Sequence, residues 1–281
     1  MLEQLSMVNR THIAPIAVLV ALVAVDARSA DWKVIAMRDP LATEVSFEEA
    51  SRYLWPSEDA NNVPGPDSLV ARVSIEKRRG YVEVVDLRTG NVRRLPNAWG
   101  SLPQWSPDGR YISCVVWKST RQPHELTVVD VATMTVAVTP ELRISGTETK
   151  WSPDSRMIAA SGVVHDSPRS MLCVVSIPAG SVTVIDTVDV FAAHEFSWSP
   201  DGRWLAYSRP TKVHHYGDTI ASDLWIADAS TAKAWLLIES PDWAQSNPLW
   251  VTNRIIQVDR VRWNDEGSNE EQRVVIELAL D

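Results

Sequence analysis

Strand-length apolar runs recur along the chain with polar punctuation between them. YISCVVW begins at Tyr111, MIAASGVV at Met157, WLAYSRP at Trp204 and IIQVDRV at Ile255. After a loop of variable length each is followed by a second run, among them LTVVDV, LCVVSI and LWIADA, and an earlier unit contributes YVEVVDL. Short polar or Gly-bearing links come next, LRTGN, VATMT, IPAGS and DASTAK, of the kind that close antiparallel hairpins. Third runs follow as NVRRLP, TVAVTP, SVTVID and AWLLIE, and the residues just before each recurring Trp, as in GSLPQW and HEFSW, supply a fourth. The pattern predicts units of four short antiparallel strands.

These units keep a fixed period. WSPDGR at Trp105 returns unchanged at Trp198 and as WSPDSR at Trp151, in steps of 46 and 47 residues. A further step of 52 reaches Trp250, with Asn253 and Arg254 behind it, and a step of 41 backwards from Pro107 and Asp108 reaches Pro66 and Asp67. Five units are recognisable, the first and last degraded. Four-stranded units repeating every ~40 to 50 residues predict an all-β propeller whose blades are antiparallel sheets.

The hexapeptide has a structural explanation. Pro107, Pro153 and Pro200 preset φ at the corner of a four-residue turn, and Asp108, Asp154 and Asp201 can accept hydrogen bonds from the turn's own amides. Gly109 and Gly202 tolerate the positive φ needed to leave it. Trp105, Trp151, Trp198 and Trp250 end the innermost strand with a large flat surface suited to the seam between blades. Thirteen Trp against three Phe fits that use.

On these residues the chain resembles the TolB-type propeller repeat, a relative of the WD repeat. Its Trp-Ser-Pro-Asp-Gly-Lys/Arg turn is matched in full at Trp105 and Trp198, closely at Trp151, where Ser155 replaces Gly, and weakly at Trp250 and Asp67. The resemblance covers residues 66 to 281. It implies a six-bladed ring where five units are counted, so six blades remain an alternative. It also implies protein partners at the cell envelope, although the separate amino-terminal α/β domain of TolB has no counterpart in the 36 residues before the first repeat. A Tol-type complex is therefore not implied.

The last unit supplies only three strands. DWKVIAMR, Asp31 to Arg38, is expected to complete its blade, close the ring and remove an open edge. Between that strand and the first unit, SFEEASRYL, with Ser46 as cap and Glu49 three residues on, predicts a short helix over a seam or a remnant of a sixth blade. Ahead of it, Arg10 precedes an apolar run from Ile13 to Val25 broken only by Pro15, with small residues after it. That layout predicts a secretory signal over residues 1–29, the propeller occupying 30–281. The run is shorter than the ~20 residues of a spanning helix; an uncleaved anchor is the other reading. A periplasmic or secreted location follows, with no membrane span after cleavage.

The net charge of −9, without a basic run, argues against a nucleic-acid partner. Cys114 and Cys173 lie within apolar runs and are expected as two buried thiols. No Gly-x-Ser-x-Gly elbow, His-Glu-x-x-His pair or phosphate-binding Gly-rich loop occurs. An intact hydrolase of the prolyl-oligopeptidase type, in which a similar propeller serves as a gate, is thereby excluded.

Chemistry gathers instead in the variable loops. Assigning second-to-third-strand loops and inter-blade connections to one face puts His124, His165, His194, His214 and His215 there. Arg121, Asp166, Arg169, Tyr216 and Asp218, with Trp99, Trp243 and Trp263, belong to the same face. The functional reading is a binding surface around the channel mouth for a protein or peptide, or for a glycan; solvated loops also carry such residues without a role. No cofactor and no metal are expected, adjacent imidazoles such as His214 and His215 needing a third ligand from the fold. The expected function is a non-catalytic, monomeric interaction scaffold. The alternative is a propeller lyase or glycan hydrolase using His, Tyr or carboxylates at the mouth.

Overall fold

The computed structural model describes residues 32–38, 62–76, 79–116, 125–140, 144–164, 169–188, 195–213, 219–263 and 269–280. The expected signal and the expected helix near Ser46 lie outside these residues. Strand β1 (Trp32–Arg38) comes first in the chain. Blade I contains β2 (Asn62–Pro64), β3 (Leu69–Glu76), β4 (Arg79–Asp86) and the first part of β5 (Val92–Trp105). The rest of β5 begins blade II, which adds β6 (Tyr111–Val116), β7 (Glu125–Asp130) and β8 (Thr135–Val138). Blade III is β9 (Ile144–Trp151), β10 (Met157–Val164), β11 (Ser170–Ser176) and β12 (Val182–Val188). Blade IV is β13 (Phe196–Trp198), β14 (Trp204–Val213), β15 (Thr219–Asp228) and β16 (Ala234–Ile238). Blade V is β17 (Ala244–Thr252), β18 (Ile255–Trp263) and β19 (Asn269–Leu280), with β1 antiparallel to β19 as its fourth strand.

The expected four-stranded antiparallel blades are therefore present, and the early segment Trp32–Arg38 completes the last of them. Its Trp32 ring meets Trp204 of blade IV edge-on at 5.1 Å and Trp250 of blade V at 6.0 Å. A strand from the start of the chain thus anchors the joint between two blades formed near its end.

The strands of the middle blades are apolar on both faces because each face meets another blade. In β10, Ile158 and Ala160 join the core shared with blade II, whereas Ala159 between them joins the core shared with blade IV. Cys173 and Val175 follow the first side, Leu172 and Val174 the second. Two further clusters join blades I with II and IV with V. In blade I, Val82 and Val84 face blade II, and Glu83 on the other side of the sheet pairs with Arg72 at 3.1 Å and Arg94 at 2.9 Å. In blade V, Ile256 and Val258 face blade IV, and Asp259 on the other side pairs with Arg273 at 2.6 Å. Both cysteines are buried free thiols, and burial pushes each up to about 12.

The three hexapeptide turns have one hydrogen-bond design. In blade II, Ser106 Oγ donates to Asp108 Oδ1 at 2.6 Å and accepts from the Tyr111 amide at 2.9 Å. Asp108 Oδ1 also accepts from the Arg110 amide at 3.0 Å. Ser152 and Asp154, and Ser199 and Asp201, repeat these bonds. The Trp before each turn reaches into the preceding blade. Trp105 Nε1 donates to the Val63 carbonyl, Trp151 Nε1 to Ser113 Oγ and Trp198 Nε1 to the Lys150 carbonyl, at 2.9 to 3.0 Å. Arg110 and Arg203 stack on Tyr111 and Trp204 and pair with Asp130 and Asp228, one strand further out.

Candidate binding site

Of the residues expected on the loop face, Arg121, His124, His165, Asp166, His194, His214, His215, Tyr216 and Asp218 lie outside the described residues. Arg169 is exposed immediately before β11. Trp99 falls within β5, opposite Tyr81, and Trp263 ends β18; both were expected in loops and are strand residues instead. The strand pairing extends further toward this end than the turn chemistry indicates, because β18 and β19 stay in register out to Trp263 and Asn269.

The described part of this end centres on Trp243, in the connection between blades IV and V. The connection is stitched down on both sides. The Ser222 amide donates to the Trp243 carbonyl at 3.0 Å. Ser222 Oγ donates to the Gln245 carbonyl at 2.8 Å and accepts from the Gln245 amide at 2.7 Å. Gln245 Nε2 donates to Ser240 Oγ at 2.7 Å, and the Ser240 amide donates to Asp223 Oδ1 at 2.9 Å. Ser222, Ser240 and Gln245 are all buried, so this polar seam holds the Trp backbone rigidly.

Alternation in β18 continues the core-facing side of Ile256 and Val258 through Arg260 to Arg262. Both guanidinium groups lie over Trp243, the Arg260 carbon 4.5 Å and the Arg262 carbon 5.0 Å from the ring centroid. Trp263 has the other parity and belongs to the opposite side of the sheet, about half exposed. The structure thus separates two tryptophans that the sequence placed together, and gathers two arginines that sequence reasoning missed. Their signal was available as VDRVR in register with an expected strand, but a charged pair at a strand end reads as solvent-facing until the neighbouring blade is in place.

The two arginines differ. Arg262 is ion-paired with Glu270 across the β18–β19 ladder. Arg260 Nε is buried and makes no hydrogen bond, and burial, reinforced by the charge of Arg262 and opposed by Glu270, holds its pKa below the usual arginine value. Directly across the β17–β18 ladder stands Gln245, whose Oε1 is likewise buried without a partner. Among the described residues, no three His, Cys, Asp or Glu side chains gather as a metal ion would require. No described helix is long and apolar enough to cross a membrane.

Four-stranded antiparallel blades packed face to face define a β-propeller. No family model matches the sequence, and no curated protein is similar to it in sequence. Solved structures are similar in fold. The β-propeller domain of the Trilobed protease from Pyrococcus furiosus, described as having an open velcro topology, aligns with a TM-score of 0.54 at 15% identity over 78% of this chain and 69% of that one. An acylaminoacyl peptidase in complex with Z-Gly-Gly-Phe-chloromethyl ketone aligns with a TM-score of 0.50 at 14% identity over 78% of this chain and 39% of that one. TolB from Acinetobacter baumannii aligns with a TM-score of 0.45 at 19% identity over 78% of this chain and 55% of that one. At these identities the likeness is one of fold.

Proposed function

We propose that this protein is an exported TolB-like propeller that serves as a non-catalytic scaffold, binding a protein or peptide at the loop end of its blades. The observation that carries the reading is Trp243, held by a buried hydrogen-bonded seam and covered by two guanidinium groups at that end. A rigid amphipathic aromatic ring beside arginine is the composition of a binding hot spot.

The remaining titratable chemistry supports scaffold over catalyst. The carboxyl of Asp86 is held below its usual range by the Arg88 amide, and that of Asp130 by the Thr133 amide, both in tight turns at the opposite end. Burial pushes the Tyr207 hydroxyl well above its ordinary value. These groups are committed to holding the blades. Export is supported by the apolar run from Ile13 to Val25 with Arg10 before it.

The test is crosslinking of the full chain in its native host, with wild type and Trp243→Ala compared. The expected result is a protein crosslinked to the wild type and lost from the variant, with both chains recovered from the exported fraction and equal in thermal midpoint. Turnover of a substrate, or an identical crosslinked set from both chains, would overturn the reading.

A further inference from the structure

Trp243 differs from the other tryptophans of its joint in what covers it. Trp32, Trp204, Trp235 and Trp250 are buried in the apolar cluster between blades IV and V, whereas Trp243 lies outside that cluster and is partly exposed. Its ring is covered by the two guanidinium groups of β18. The β18–β19 ladder places Gln272 opposite Arg260 and Glu270 opposite Arg262. Four polar side chains therefore take over, at the loop end, the sheet face that Val258, Val274 and Ile276 fill deeper in the joint. A charged cover over an apolar ring can lift only if its charges stay hydrated as it leaves.

The two arginines answer that condition differently. Arg260 has its Nε buried, so it is packed in place. Arg262 and Glu270 are each about half exposed, and parting them strands neither charge. Glu270 Oε2 accepts from Arg262, and Glu270 Oε1 accepts from Gln272 Nε2 at 2.9 Å. Among the described residues Arg262 makes no ion pair besides this one. An exposed ion pair and an exposed cation–π contact are each weak, so together they favour the covered ring by only roughly tenfold. The ring does not follow the arginine, because the backbone on both sides of it is tied to Ser222.

We propose that Arg262 is a displaceable cover on a fixed Trp243, and that an apolar side chain of the bound protein or peptide takes its place on the ring. Glu270 and Gln272 are its positioning residues, and Arg260 is the part of the cover that stays. This rests on the binding-scaffold reading above and gives that site its regulation.

The test needs no partner. The full chain is labelled with fluorotryptophan, and the fluorine NMR line of Trp243 is assigned by its loss in Trp243→Phe. Exposure of the ring is read from the displacement of that line between light and heavy water. Raising the salt to about 1 M, where charges are screened beyond roughly 3 Å, should increase this displacement about twofold, with the lines of the buried tryptophans unchanged. Arg262→Gln should show the larger exposure already at low salt, with no further rise. Glu270→Gln should fall between that variant and wild type and lose most of the salt response. The salt series uses the unaltered protein and so does not depend on any variant folding.

A Trp243 exposure that ignores salt in the wild type, or that is equal in wild type and Arg262→Gln, would overturn the proposal. So would a Glu270→Gln chain that keeps both the wild-type exposure and its salt response. The scaffold reading would survive those outcomes if Trp243→Ala still loses the crosslinked protein. It falls separately if the crosslinked protein stays on that variant.

Discussion

The side-chain hydroxyl of Ser155 accepts a hydrogen bond from the backbone amide of Asp108 at 2.9 Å, tying the turn of blade III to the turn of blade II. Asn253 does the same two joints further on, between blades IV and V, its Oδ1 accepting from the Asp201 amide at 3.1 Å. Both residues stand just before the Arg of their turn, where blades II and IV have Gly109 and Gly202. That place in the repeat leans over the Pro-Asp corner of the preceding blade. The two departures from the hexapeptide are inter-blade links.

Ser155→Ala should lose the link and cost about 0.5 to 1.5 kcal/mol. Ser155→Gly loses it too, but Ser155 sits at φ +63°, a conformation that costs a side chain roughly 1 to 2 kcal/mol and glycine almost nothing. The expected order of stability in urea unfolding, followed by Trp fluorescence, is wild type and Ser155→Gly close together with Ser155→Ala clearly below. Equal destabilisation of the two variants would contradict this account.

The same place should respond differently in the two Gly blades. A Cβ on Gly109 would stand 2.3 Å from Pro66 Cγ, whereas one on Gly202 would meet Pro153 Cδ at an ordinary 3.6 Å. Gly109→Ser is therefore expected to destabilise by more than about 2 kcal/mol, on the scale of overpacking added to strain. Gly202→Ser pays only for φ +71° and gains the chance of a bond like that of Ser155, so it should stay within about 1 kcal/mol of wild type. Thermal melts of the two variants side by side decide the matter.

Trp32 makes a direct test of the early strand. Its ring is buried against Trp204 and Trp250, so Trp32→Ala should cost about 3 to 5 kcal/mol, as other large-to-small core changes do. Deleting residues 31–38 should cost at least as much. An unchanged denaturation midpoint for either would show that blade V does not need its fourth strand.

Acid should weaken the turns before it touches the cores. Asp86 and Asp130 have folded pKa values below their usual range, set first by the amides of Arg88 and Thr133. Their stabilisation is whole above the unfolded carboxyl value of about 3.9 and is lost as pH falls through the lower folded value. The melting temperature should be flat from about pH 7 to 5 and fall below about pH 4. Asp130→Asn should start lower at neutral pH and converge with wild type in acid; parallel curves would assign the acid loss to other groups.

Much of the fold was legible because repetition is a local signal. Pro107 with Gly109, and Pro200 with Gly202, announce their turns in six letters, and the flanking runs are strand-length. Period-2 reading was less useful in β10, where Ile158, Ala159 and Ala160 are all buried; a strand between two blades has no polar face to alternate. The candidate site was legible only in part. Trp243 was singled out as one residue of a loop face, whereas Arg260 and Arg262 were passed over because nothing in VDRVR says which blade covers them.

The sequence by itself determined the blade, its hairpin turns and the use of an early strand to complete the last sheet, since these depend on dihedral preferences and on apolar runs a few residues long. Only the tertiary structure decided what lies across each seam. Whether Ser155 is a defect or a link, and whether Arg260 meets water or the face of Trp243, depends on a neighbour 47 residues away in the first case and 17 in the second. No local pattern encodes that neighbour, because contacts between blades are set by how whole sheets stack rather than by the residues beside them.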